Sequence, residues 1–130
     1  MNPSQDSVTT KVLILILNWN RPQETRACLK SIALLEGSIP TETWVIDNHS
    51  DDDSCEQIQR FFPEVTLYRN KKNLGYAAGN QVGLDYALSK NIPMVGVCLG
   101  SQLLTRALGT SVTPSEEFEI GMVPITLTEE

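Results

Sequence analysis

The amino-acid sequence predicts an α/β protein. The expected form is a three-layer α/β/α arrangement of Rossmann-like, nucleotide-binding type around a mostly parallel sheet, with an irregular C-terminal edge strand or hairpin. Three observations lead there. Short apolar runs of strand length alternate with longer stretches of helical periodicity. The first run, Val12–Leu17, is apolar at every position, as a strand buried on both faces requires. Pro22, Gly37, Pro63 and Gly109 fall where those runs and periodic stretches begin or end.

The elements follow in order. Val12–Leu17 closes on Asn18-Trp19-Asn20, and Pro22 suits the first turn of the next helix, where a missing N–H costs nothing. Thr25, Cys28, Leu29, Ile32 and Leu35 recur at helical spacing, with Gly37 placed as a C-terminal cap. Thr43-Trp44-Val45-Ile46 predicts a second strand ending in Asp47-Asn48-His49-Ser50. Asp51, Asp52 and Asp53 then favour a helix to about Phe62, because carboxylates accept from unbonded N–H groups and complement the helix dipole. Val65–Tyr68 is a third strand, followed by the polar turn Arg69–Asn73 and a helix from about Tyr76 to Ser89. Met94–Val97 predicts a fourth strand and Ser101–Leu108 a fourth helix closed by Gly109. Val112 begins a short strand at most. Gly121 and Pro124 limit Ile120–Leu127 to an edge strand or hairpin.

Composition bounds the partners. The 130 residues fit a polar tail over 1–10, read as disordered, and a single α/β domain over 11–130. A formal net charge of −6 opposes nucleic-acid phosphate and anionic lipid, so neither a nucleic acid nor a membrane is expected as partner. Cys28, Cys55 and Cys98 are too scattered for a disulfide framework or a zinc site, and the sequence offers no metal-ligand set. Val12–Leu17 is too short to span a bilayer and follows no basic leader segment. A cytoplasmic location is expected.

Open parallel sheets bind ligands beyond the carboxyl ends of their strands. Polar residues gather at those ends here: Asn18, Trp19 and Asn20, then Asp47 and Asn48, then Arg69 and Asn70. An aromatic ring can stack on a base, and a carboxylate can accept from a ribose hydroxyl or a ring N–H. Gly75 and Gly79 allow close backbone approach nearby.

Asn18 to Pro22, Val45 to Asp52 and Arg69 to Asn80, in this order and spacing, resemble the motifs of family-2 glycosyltransferases, especially the rhamnosyltransferase-like members. The likeness covers about residues 11–91. It implies a nucleotide or nucleotide-sugar as partner, with Trp19 and Asp47 at the base and ribose, Arg69, Asn73 and Gly75 along the diphosphate-sugar path, and Asn18 as a further nucleotide-binding residue. It also implies a divalent metal bound with the nucleotide diphosphate. The sequence departs from the family where the metal-holding carboxylates belong, since no carboxylate occurs between Asp85 and Glu116. The acceptor half with its base is not found either. Asp51–Asp53 read as capping and solvated charges. Binding without transfer is therefore the leading expectation.

Gly96-x-Cys98-x-Gly100, between a strand and a helix, has the pattern of a nucleophile elbow, in which small neighbours permit the strained turn. Residues 92–104, with Ala107-Leu108-Gly109 and Glu119 to Pro124, resemble class I glutamine amidotransferases, a likeness covering about residues 92–129. It implies Cys98 as the thiolate that attacks glutamine and Gln102 as a substrate contact. A working thiolate needs a base oriented by a carboxylate, which that family supplies as His-x-Glu further downstream. The single histidine, His49, reads as a turn residue. The two likenesses meeting near Asn91 suggest a recombined chain, natural or engineered. Three classes of function follow: a nucleotide-binding module, a Cys98-centred hydrolase remnant, or a folded chimera that assembles with copies of itself through an incomplete sheet edge.

Overall fold

In a computed structural model, which describes residues 11–35, 37, 39–96 and 99–114, three parallel strands form the centre of the molecule. β1 (Val12–Asn18), β2 (Thr41–Asp47) and β3 (Thr66–Arg69) lie in the order β1-β2-β3. The central strand is the most deeply placed, with Val45 and Ile46 fully buried, one on each face. Register pairs Ile16 with Val45 and Val45 with Leu67, all on one face. The same register sets Asn18, Asp47 and Arg69 side by side in one row at the carboxyl ends.

Helices cover both faces. α1 (Pro22–Ala33) and α2 (Ser54–Phe61) close one side, where Leu29, Ile58 and Phe62 pack on Val45, with Ile16, Val65 and Leu67 against them. The Arg26 guanidinium lies 4.3 Å over the Phe61 ring at the rim of this layer. α3 (Gly75–Gly79) and α4 (Gln81–Ser89) cover the other side, and α5 (Leu99–Ala107) packs on α4. Trp44 of β2 stacks on Tyr86 of α4 with ring centroids 4.5 Å apart. The predicted three-layer α/β class is the one observed. Among the described residues no helix is long and apolar enough to cross a membrane.

Four expectations change in detail. The helix predicted over Tyr76–Ser89 is divided at Asn80, whose Nδ2 donates to the Tyr76 carbonyl at 2.9 Å and so takes the place of the regular backbone bond. α1 ends at Ala33 without help from Gly37. Its last carbonyls accept from Leu34 and Leu35 through tight i→i−3 bonds, so no left-handed glycine is needed. Gly109 does close α5 as predicted, with φ +84° and Thr110 N–H bonded back to the Thr105 carbonyl. The predicted strand Met94–Val97 is not formed over 94–96, and Val97 lies outside the described residues. Pro93 supplies no N–H at its start, and a Cβ on Gly96 would collide with the Gly100 backbone, so the chain turns back after three residues. Between this segment and β1 lies a cavity of about 400 Å³ lined by Leu13, Leu15, Leu84, Ala87, Met94 and Leu103. Residues 111–114 hold no strand at Val112, while the 1–10 tail and Ile120–Leu127 lie outside the described residues.

The closeness of α4 to the sheet yields a test. A Cβ on Gly83 would stand 2.7 Å from Leu15 Cδ1 and 3.1 Å from Ile46 Cδ1, whereas Gly37 has nothing within 4 Å. Gly83→Ala gains up to about 1 kcal/mol in helix propensity but overpacks this contact, for a net loss of about 1–2 kcal/mol. Urea midpoints measure it, with Gly37→Ala as the near-neutral reference. An unshifted midpoint for Gly83→Ala would contradict the packing.

Candidate functional site

The row Asn18–Asp47–Arg69 is the base of the site. Each residue is the last of its strand, where the ladder ends and side chains must take up the backbone groups of the loops. Asp47 is wholly buried. Its Oδ1 accepts from Asn18 Nδ2 at 2.8 Å and from the Ser50 hydroxyl at 2.5 Å, and its Oδ2 accepts from the Ser50 amide at 2.9 Å. Arg69 Nε lies 3.5 Å from Oδ2, and its second guanidinium nitrogen donates to the Ser50 carbonyl at 2.5 Å. Thr25 of α1 donates to Asn18 Oδ1 at 2.7 Å, which carries the network into the first helix.

The loops are tied in the same way. Asn20, at φ +51°, gives its amide to Ser50 Oγ at 2.9 Å and accepts from the Asp51 amide at 3.0 Å. Asparagine tolerates this left-handed backbone better than most residues. On the other side Asn48 bonds to Asn70, Asn73, Leu74 and Gly75, and Asn70 Nδ2 reaches the Gly79 carbonyl at 3.1 Å. His49, at φ +65°, meets the Asn70 carbonyl through Nδ1 at 3.2 Å. It is an exposed turn residue, as predicted.

Electrostatics follow from these contacts. Burial acts to raise the Asp47 carboxyl, but hydrogen bonds from the Ser50 hydroxyl and amide, from Asn18 and from the Cys55 thiol outweigh it, so the group lies below the usual carboxylate range. The Cys55 thiol is pushed up to about 11, first by burial and then by the Asp47 charge. At neutral pH Cys55 is a neutral donor beside a carboxylate, not a reactive thiolate.

The predicted site residues divide into two groups. Asn18, expected to bind nucleotide, and Asp47, assigned to base and ribose by the resemblance, are 1 % and 0 % exposed and are consumed by internal hydrogen bonds. They face the loops, not solvent. Trp19 is 53 % exposed, while Arg69, Asn73 and Gly75 are exposed around the same strand ends. Gly75 adopts φ +73° in open space, so its backbone conformation is what requires glycine. Gln102 is exposed on α5 and takes no part in this network, and Cys98 lies outside the described residues. Ser50, Thr25, Asn48, Asn70 and Cys55 belong to the network although the family motifs assign none of them a contact with ligand. The signal was the density of Asn and Ser straight after each strand.

The acidic run lies at the start of α2, but its N-cap residue Asp53 makes no side-chain bond to the helix backbone, so the capping expectation holds only for Asp52. Asp52 Oδ1 accepts from the Ser54 amide at 2.9 Å and Asp53 Oδ1 from Gln57 Nε2 at 2.8 Å, at the start of α2. Among the described residues no group of three His, Cys, Asp or Glu could hold a metal ion.

Replacing the central carboxylate tests its weight. Asp47→Asn sets an N–H₂ against donors, and is expected to cost about 2–3 kcal/mol at neutral pH by leaving buried groups unsatisfied. Because the folded-state carboxyl is depressed, its contribution is full above the usual carboxylate range and is lost as pH falls through the lower folded value. Stability of the parent chain therefore drops on the acid side, and the drop is smaller in Asp47→Asn. Urea unfolding across that range measures both, and parallel pH profiles for the two chains would refute the assignment.

Comparison with known proteins gives two likenesses. Residues 13–98 match the model of glycosyl transferase family 2. Curated relatives include the glutamine amidotransferase-like protein YfeJ of Salmonella typhimurium, 50% identical over 46 residues, which are 35% of this chain and 19% of that protein. A glutamine-hydrolysing GMP synthase component from Sulfolobus acidocaldarius is 37% identical over 85 residues, 61% of this chain and 42% of the relative. Its counterpart from Methanococcus maripaludis is 28% identical over 121 residues, 91% of this chain and 57% of the relative. The chain thus spans less than two thirds of the length of each. The matched family, over residues that hold both the sheet and the strand-end network, fixes the affiliation: the chain belongs to glycosyl transferase family 2, with a second, partial similarity to glutamine amidotransferases.

Proposed function

We propose that this chain binds a nucleotide or nucleotide-sugar at the carboxyl ends of β1, β2 and β3 and does not by itself carry out glycosyl transfer. The observation that carries this reading is the locked row Asn18–Asp47–Arg69, which leaves the Trp19 ring and one side of the Arg69 guanidinium exposed over a rigid base. In this reading Asp47 acts by holding the loops. Trp19 supplies an aromatic face for a base, and Arg69, Asn73 and Gly75 border the phosphates. Arg69 is joined by Lys71 and Lys72, so positive charge gathers at one strand end of a chain whose net charge is −6. That local charge is what an anionic ligand needs when the overall field opposes it. Lack of transfer rests on the run from Asp85 to Glu116, which holds no carboxylate to bind a metal where the diphosphate would leave. Calorimetric titration with uridine diphosphate and thymidine diphosphate tests the reading. A saturable heat with one of them is expected, weakened about tenfold, or about 1.4 kcal/mol, in Arg69→Ala. No saturable heat with either nucleotide would rule it out.

A second reading has one observation in its favour. Gly96 lies so close to Gly100 that a Cβ would strike the Gly100 backbone, as a tight elbow around Cys98 would require. With the likeness to glutamine-hydrolysing proteins, this supports a remnant of a glutaminase in a chain of recombined origin. Ammonia release from glutamine that disappears in Cys98→Ala would establish it. Release at the same rate from both chains would dismiss it.

A further inference from the structure

We infer that Asn48 is a positioning residue whose side-chain amide fixes the corner Asn73–Gly75, the phosphate side of the cleft, against the end of β2. The reference to phosphate rests on the nucleotide reading above; the fixing of the corner does not.

Asn48 stands one residue beyond β2, and its backbone is held by the sheet, since its N–H donates to the Asn18 carbonyl at 2.8 Å. Its side chain is 2 % exposed. Nδ2 donates to Asn73 Oδ1 at 2.8 Å and to the Gly75 carbonyl at 3.1 Å, while Oδ1 accepts from the Leu74 amide at 3.0 Å and from Asn70 Nδ2 at 3.1 Å. A primary amide offers two donors and an oxygen with two acceptor sites. All of them are used, and all go to the 70–75 loop. Turned over, the amide would set N–H against the Leu74 and Asn70 donors and oxygen against two oxygens, so its orientation is determined. Asn73 passes the constraint on, because its Oδ1 also accepts from the Gly75 amide at 2.8 Å.

Gly79 explains how this amide is kept from water. A Cβ there would lie 3.1 Å from Asn48 Nδ2 and 3.0 Å from Leu17 Cδ1, so α3 rests directly on the Asn48 side chain. A polar loop such as 70–75 could otherwise be solvated, and its ordering would then be a cost of binding. The Asn48 amide removes that cost by transmitting the rigidity of the central strand to the loop that begins at Arg69.

Amide hydrogen exchange on the full chain, together with titrations using uridine diphosphate and uridine, tests the inference. In the parent chain the Leu74 and Gly75 amides are expected to exchange slowly. Asn48→Asp keeps an acceptor for Leu74 but has no donor for Asn73 or Gly75. Gly75 should then exchange about tenfold faster or more while Leu74 stays slow. Asn73→Ala, at an exposed position, should release Gly75 in the same way without altering a buried residue. In both variants the affinity for uridine diphosphate falls about tenfold while that for uridine holds, a split that general loss of stability does not produce. Unchanged Gly75 exchange in both variants, or equal losses for diphosphate and nucleoside, overturns the inference. If the parent chain binds neither probe, the nucleotide reading alone fails, and Gly75 exchange still decides the role of Asn48.

Discussion

A single buried carboxylate, that of Asp47, organises the strand ends of this protein. Taking a charged group out of water is costly unless its lone pairs are met by donors. Here the donors come from β1 through Asn18, from the following turn through Ser50, from α2 through Cys55 and from β3 through Arg69. Each partner lies on a different element. The electrostatic requirement of one side chain therefore becomes a geometric requirement on four segments, and the loops after β1 and β2 have little freedom left. The parallel register is what makes this possible, because it places the last residue of each strand in the same row.

The layers on either side answer to a separate constraint. Val45 and Ile46 point to opposite faces of β2 and are both fully buried, so a helix layer is needed on each side. On one side large residues fill the space, with Leu29, Ile58 and Phe62. On the other the absence of side chains matters, since Gly79 and Gly83 let α3 and α4 lie on Leu17, Asn48, Leu15 and Ile46. The second layer is closer, and it brings the Asn70–Gly75 loop over the end of the central strand.

Much of this was legible in the sequence, for physical reasons that can be named. The unbroken apolar run of β1 and the β-branched pair in β2 leave few alternatives to central parallel strands. The residues of the strand-end row were also legible, because polar side chains straight after such strands have few places to go. Their orientation was not. Whether Asp47 faces a ligand or the protein depends on Ser50 and Cys55, whose contributions follow from the turn geometry and the first turn of α2 and have no signature in spacing. The division of the third helical stretch at Asn80 was hidden too, because a side chain that replaces a backbone donor leaves the hydrophobic period unchanged. Met94–Val97 shows the opposite failure. Its composition is that of a strand, but Pro93 and the contact of Gly96 with Gly100 leave too little straight backbone for a ladder.

The two family likenesses overlap along the chain, since the family 2 match runs over residues 13–98 and the Methanococcus maripaludis relative matches 121 residues, but the strand-end network and the Gly96–Gly100 contact lie in different parts of the structure. Among the described residues, the side-chain hydrogen bonds that build the strand-end network all join residues from Asn18 to Gly79. The Gly96–Gly100 turn and α5 come later and meet the rest through α4 and the cavity beside β1. The Asp47 and Asn48 contacts therefore do not depend on the segment after Asn91, which meets β1 through the apolar Leu13 and Leu15. Fold-level compatibility of this kind says nothing about shared chemistry. The strand-end geometry depends on hydrogen bonds closed before residue 80, and the approach of Gly96 to Gly100 on two glycines after residue 95, so neither constrains the other directly.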